Sequence, residues 1–362
     1  MKDAMIISEK TKTLSIKRLT LAVKLIVSGA MVSAVVLGAG CGSSSASGKN
    51  NPTSGGTGSA DKLAADAYCS RMSANTFDAC GHEVKDDLFI GKGKCINVSD
   101  DSERAECLSE LDTEINEQEA NCQAQLDARM AIYGKIGEAR YDPDFTPENF
   151  VDPDAIGTTV AVNPYFPLVV GNKWVWEGGE EKVTDTVTDK TKLIEGVKCR
   201  VVLDEVEEDG EVIEITDDWY AQDLEGNVWY CGESARDFES FDGDEPKEPE
   251  LVESDGSWKT GRDGAKPGMI VPFAPQVGQA YRQEILLGDA EDFAEVTSMN
   301  GNESVPGATC ANDCLVTKES SPIEPGVVEE KHYKPGVGLI LEVPPEPGEP
   351  RVELTEFSQA AP

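Results

Sequence analysis

The sequence predicts a mainly β protein with a small α module. The expected architecture is a curved antiparallel meander, a half-barrel or barrel, preceded by a disulfide-stapled helical hairpin. Three observations carry that reading. From residue 164 on, short stretches rich in Val, Ile, Thr, Trp and Tyr alternate with turn signals. Between 61 and 140, apolar residues recur instead at three- and four-residue steps. Ten cysteines are spread along 362 residues, which suits an oxidising, exported setting.

Residues 1–40 read as a lipoprotein signal peptide. Basic residues from Lys2 to Lys24 precede the apolar run Leu25–Leu37, and Gly38, Ala39 and Gly40 lead to Cys41. The run is shorter than the roughly 20 residues of a membrane span and has the build of a signal-peptide core. Its end resembles a bacterial lipobox, which implies that Cys41 is lipidated and becomes the first mature residue. The pattern departs at Gly38, where a leucine is usual; Leu37 sits one place early. Gly42 follows the cysteine rather than an aspartate, which favours the outer membrane. Residues 41–60, rich in Gly and Ser, form a flexible tether with a reach of about 24 Å. The expected partner is thus the membrane, through a lipid anchor.

Residues 61–140 form the Cys-bearing helical module. One helix is expected over 61–78, with Leu63, Ala67 and Met72 among its buried positions. A longer one is expected over 102–140, with N-cap candidates in 99–102 and an apolar series of Leu108, Leu111, Ile115, Cys122, Leu126 and Met130. Cys107 and Cys122 fall within about 60° on that helix. The disulfide candidates are Cys69, Cys80, Cys107, Cys122, Cys199, Cys231, Cys310 and Cys314. One nested pairing joins Cys69 to Cys122 and Cys80 to Cys107, leaving Cys95 odd and able to pair between molecules; spacing alone leaves connectivity open. No Cys-x-x-Cys pair marks a zinc or redox site.

Residues 141–163 read as an acidic, proline-rich linker that cannot extend a helix. Its carboxylates Asp142, Asp144, Asp152 and Asp154 offer oxygen ligands for calcium, without the glycine and twelve-residue frame of an EF-hand. The antiparallel β domain spans 164–359. Strands are expected over 172–177, 181–189, 192–206, 211–222, 227–232, 279–287, 291–299, 308–319, 327–334, 338–343 and 351–358. Turn signals such as Asp209-Gly210, Asn300-Gly301 and Pro335-Gly336 separate them. Eleven strands joined by short turns need strong curvature or closure. In 211–222, Ile213, Ile215, Trp219 and Ala221 alternate with Glu214, Thr216, Asp218, Tyr220 and Gln222, which predicts one packed face and one wet one. The insert 236–256 has no periodicity and reads as a solvated loop; Asp242, Asp244 and Glu245 are its densest candidate cation site. Trp174, Trp176, Trp219, Tyr220, Trp229 and Tyr230 either fill the core or line a ligand pocket.

Charge narrows the function. The 68 acidic residues outnumber the 32 basic ones, for a net charge of −36. Such a surface repels phosphate backbones and excludes nucleic acid. With two histidines, His82 and His332, His-dependent triads and metal centres are not expected. No metal or other cofactor is expected, calcium being the one weak candidate. The expectation is a non-enzymatic envelope lipoprotein that binds an unidentified envelope ligand or protein. The alternatives are a structural component of a surface complex and, behind it, a carboxylate-dependent hydrolase.

Several phrases resemble an uncharacterised family of secreted bacterial proteins and lipoproteins: 165–174 (YFPLVVGNKW), 218–223 (DWYAQD), 226–230 (GNVWY), 281–283 (YRQ) and 333–338 (YKPGVG). The resemblance covers the β domain and implies no activity. The phrases GNKW and PGVG are also similar, more loosely, to envelope proteins with curved, lipid-carrier-type half-barrels, an analogy of fold only.

Overall fold

The computed structural model describes residues 63–360. The signal peptide, Cys41 and the whole tether lie outside the described residues. Two helices, α1 (Tyr68–Ile96) and α2 (Asp101–Ile136), form the hairpin. The second begins as expected: the Asp100 carboxylate accepts hydrogen bonds from the backbone N–H of Ser102 (2.8 Å) and Glu103 (3.0 Å). The first starts later than predicted and runs through 79–96 despite three glycines. Packing against α2 overrides their low propensity. Gly91 has a steric reason to be glycine, since a Cβ there would lie 2.5 Å from Leu111 Cδ1. Leu63, expected inside, is exposed, as are Leu108 and Met130; Leu111, Ile115 and Cys122 form the hairpin core with Val84. Ala67 has no side chain to cap α1. Glu138, just past α2, does so by accepting from Ser70 N at 2.9 Å.

The disulfides correct the nested pairing. Cys80 joins Cys122 and Cys95 joins Cys107; Cys69 is free and Cys95 is not odd. The cause is the greater length of α1. An antiparallel hairpin centred near residue 101 sets 80 opposite 122 and 95 opposite 107, and by the same symmetry Cys69 meets Tyr133. Cys69 packs with Ile132, Tyr133 and Phe293, so it is unavailable for pairing between molecules. Burial pushes its thiol pKa up. Two further bridges, Cys199–Cys231 and Cys310–Cys314, match expectation.

The β domain contains β1 (Lys173–Gly178), β2 (Glu181–Ile194), β3 (Val197–Glu208), β4 (Glu211–Gln222), β5 (Val228–Ser234), β6 (Asp237–Glu239) and β7 (Glu250–Glu253). They are followed by β8 (Lys266–Val271), β9 (Ala280–Arg282), β10 (Glu284–Ile285), β11 (Phe293–Gly301), β12 (Ser304–Val305) and β13 (Ala308–Thr309). Last come β14 (Cys314–Ser320), β15 (Glu329–Lys334), β16 (Gly338–Val343) and β17 (Val352–Ser358). The main sheet runs in the order β10-β8-β5-β4-β3-β2-β1-β17-β16-β15-β14-β11-β9, with antiparallel pairing throughout. First and last strands pair in its middle. Its two ends, β9 and β10, are separated in the chain by Gln283 alone. The path therefore returns on itself, and the sheet is nearly closed. Closure removes exposed edges.

Gln283 also explains a strand that the sequence hides. No strand is expected over 266–271, where Pro267 and Gly268 disfavour one, yet β8 pairs with both β5 and β10. A Cβ at Gly268 would lie 1.9 Å from Gln283 O, so only glycine lets the closing segment pass. The acidic insert also differs from the expected loop: β6 and β7 form a small ribbon on β4.

The hairpin is docked on the sheet. Arg129 of α2 donates to Glu291 through Nε (2.9 Å to Oε2) and Nη2 (2.7 Å to Oε1), with both side chains buried. Gln125 Nε2 donates to Ile323 O at 3.0 Å. The linker lies across the outside of the sheet. Phe145 and Phe150 cover the cluster of Trp219, Ala221, Cys199 and Cys231. Three of the four linker carboxylates named as calcium candidates pair with cations: Asp142 with Lys266 (2.6 Å), Asp152 with Lys198 (3.0 Å) and Asp154 with Arg200 (2.6 Å).

Candidate functional site

Closure places one face of every strand inside, and this inverts the reading of β4. Glu214, Thr216, Asp218, Tyr220 and Gln222, expected to face water, are buried. Trp219 and Ala221 point to the other side, beneath the linker. The interior is thus both aromatic and acidic. Asp185 of β2 sits directly opposite Asp204 of β3, and Asp218 follows on β4. Tyr230 Oη donates to Asp218 Oδ1 at 2.6 Å. Burial, reinforced by neighbouring carboxylates, raises Asp185 and Asp218 well above the usual carboxylate range. Glu284 is raised in the same way. Burial brings Asp292 to about 7 and Glu329 to about 8.

A second interior group surrounds Lys331. Its Nζ lies 3.1 Å from Glu342, 3.6 Å from Glu319 and 3.7 Å from Glu329. Burial alone would depress this ammonium, but the three carboxylates outweigh it and hold the pKa above its ordinary value. Tyr333 Oη (2.8 Å) and Gln283 Nε2 (3.0 Å) donate to Glu319. Large side chains, among them Tyr220, Tyr230 and Lys331, are fully buried in this interior. The interior cavity lined by Trp174, Trp176, Asp185 and Tyr333 has a volume of about 20 Å³, which suits a water rather than a lipid.

The proposed pocket aromatics separate. Trp174, Trp176 and Tyr220 are interior, together with Tyr230. Trp174 and Trp176 stack at 6.3 Å, Tyr220 and Tyr230 at 4.8 Å. The indole N–H groups of Trp174 and Trp176 donate to Val337 O and Leu339 O. These residues are packing elements. Trp219 and Trp229 lie on the outside; Trp229 Nε1 donates to Asp223 (2.8 Å), and its ring meets Phe150 edge-on. Asp242, Asp244 and Glu245 are exposed between β6 and β7, and Asp242 accepts from Lys247 at 3.0 Å. Among the described residues, no group of three or more His, Cys, Asp or Glu side chains is arranged to hold a metal ion.

Room exists elsewhere. A cleft of about 470 Å³ opens where the start of α1 and the chain leaving α2 meet the β8–β10 edge. That volume lies within the range of small-molecule sites. Its walls include Tyr68, Arg71, Met72 and Asn75 from α1, Arg140, Tyr141 and Asp142 from the linker, and Lys266, Ile285 and Leu287 from the sheet side. Arg140 lies over the Tyr68 ring at 4.4 Å. Tyr141 is fixed by donating to Pro267 O at 2.8 Å; buried Arg282 lies over its ring and that of Tyr133, at 5.6 and 5.2 Å. Sequence reasoning named none of these residues as a binding site except Asp142, and that for calcium. The one available signal was the arginine in a chain dominated by carboxylates.

No family model matches the chain, and no curated protein matches it. Among solved structures, the chain is similar to one from Parabacteroides distasonis described as a "putative lipoprotein", with 11% identity and a TM-score of 0.30. The match covers 55% of this chain and 100% of the other. At that identity and score, the likeness fixes neither fold nor activity.

Proposed function

We propose that the protein is an envelope lipoprotein, anchored through Cys41, whose folded part is a non-enzymatic binding module with its site in the cleft between the hairpin and the sheet. The observation that carries this is the contrast in volume: about 20 Å³ inside the sheet against about 470 Å³ in the cleft. Carriage of a lipid inside the barrel loses its support, since the interior cavity lined by Trp174 and Trp176 holds only about 20 Å³. A hydrolase is disfavoured on chemistry. Of the residues lining the cleft only Asp142 carries a carboxylate, and Lys266 engages it; a glycosidase needs two carboxyl groups flanking the bond.

The test uses the mature chain purified natively and examined by mass spectrometry for a co-purifying small molecule. Asn75 is exposed on the cleft wall, so Asn75→Trp fills the cleft without disturbing the core. The expected result is loss of the bound molecule with unchanged thermal stability. A molecule retained by Asn75→Trp would place binding elsewhere. Cys41→Ser is expected to move the protein from the membrane fraction to the soluble fraction; continued membrane association would remove the anchor. The second reading, a component of a surface complex, rests on exposed Phe89, Ile90 and Ile96 on the hairpin. Crosslinking at Phe89 in intact cells tests it.

A further inference from the structure

We infer that the cleft takes an amphiphilic organic anion, its acid head held by Arg71 and Arg140 and its apolar body against Met72, Ile285 and Leu287. This rests on the reading of the cleft as the binding site. The argument begins with charge pairing. Carboxylates outnumber cations by about two to one in this chain (68 against 32), so a cation with no acid beside it is unusual. Of the three cations lining the cleft, Lys266 has Asp142 at 2.6 Å. Among the described residues, no carboxylate lies within ion-pairing distance of Arg71 or Arg140.

Both guanidiniums are held but not neutralised. Among the described residues, Arg71 Nη1 reaches only the backbone O of Ala65, at a long 3.5 Å, and Arg71 Nε is shielded from solvent with no hydrogen-bond partner. A shielded donor left unmatched is costly. The Arg140 guanidinium lies over the Tyr68 ring, and a guanidinium in such a contact can still donate through its fork, in its own plane. That fork matches the planar pair of oxygens on a carboxylate, or two oxygens of a phosphate. Buried Arg282, beneath Tyr141, adds positive potential to the floor. Two acids lie two residues from Arg140: Glu138 is engaged in capping α1, and Asp142, which feels the Arg140 charge, is bonded to Lys266. Met72, Ile285 and Leu287 give the wall an apolar part, which a bare inorganic anion would leave uncovered.

The experiment titrates the full mature chain with three matched probes: benzoate, phenyl phosphate and neutral benzamide. Thermal unfolding and calorimetry are the readouts. A saturable rise in Tm is expected with an anionic probe and not with benzamide. The tighter of the two anions tells carboxylate from phosphate. Arg71→Gln/Arg140→Gln is expected to weaken that probe at least about tenfold, with the unliganded Tm and circular dichroism preserved. No saturable response to either anion, or full binding by the double variant, overturns the inference. Benzamide binding as tightly as benzoate, and lost in Asn75→Trp, would also overturn it while leaving the cleft as the binding site.

Discussion

Arg129 makes three hydrogen bonds to Glu291, two of them from Nε, and both side chains are buried. The pair joins α2 to the sheet, and its energy is asymmetric. Arg129→Ala leaves the Glu291 charge buried alone, which costs about 3–5 kcal/mol. Arg129→Met with Glu291→Met removes both charges and is expected to cost much less. Urea unfolding of the two variants checks this; equal losses would show that the pair acts through packing alone. At the same scale, Asp218 is legible in the sequence only as an acid on an alternating strand. Whether such a residue is wet or buried depends on which face closure turns inward. Arg71 and Arg140 are hidden for a related reason. They lie 69 positions apart in the chain, and only the hairpin brings them to one cleft.

The hairpin shows what an element adds. Helical periodicity and the Asp100 cap were readable because both are local, spanning a few residues. Disulfide connectivity was not, because it depends on where α1 ends. The Cys95–Cys107 bridge closes a separation of 12 residues, and its loss costs about 3 kcal/mol in the loop-entropy model. Cys95→Ser/Cys107→Ser is expected to speed amide exchange at the hairpin tip while leaving β2–β4 protected. Equal loosening of hairpin and sheet would show that they unfold as one unit. Strands fared likewise: 211–222 and 338–343 were read to the residue, since alternation and flanking turns are local signals. Strand β8 was missed because Pro267 and Gly268 disfavour a strand; here they serve the closure of the sheet.

The interior carboxyls govern how the whole molecule answers pH. Asp292 at about 7, Glu329 at about 8, and Asp185, Asp218 and Glu284 well above the usual range all hold protons in the fold that they release when unfolded. Unfolded carboxyls titrate near 4. Between about pH 4 and 8 the folded state therefore binds more protons, and the free energy of unfolding falls as pH rises. This contribution is fully present below about pH 4 and is lost upward. Urea midpoints measured from pH 5 to 8 are expected to decline. Asp218→Asn, neutral at every pH and still able to accept from Tyr230, should flatten that decline; an unchanged slope would exclude Asp218 as a contributor. The acidic composition, the hairpin, the linker and the mainly β class follow from composition and short-range pattern, because each is written in neighbouring residues. The side of the sheet that became the interior, the pairing of the cysteines, the separation of the six aromatics and the cationic cleft depended on tertiary closure. A period-2 pattern has two faces, and only long-range contacts decide which one loses its water.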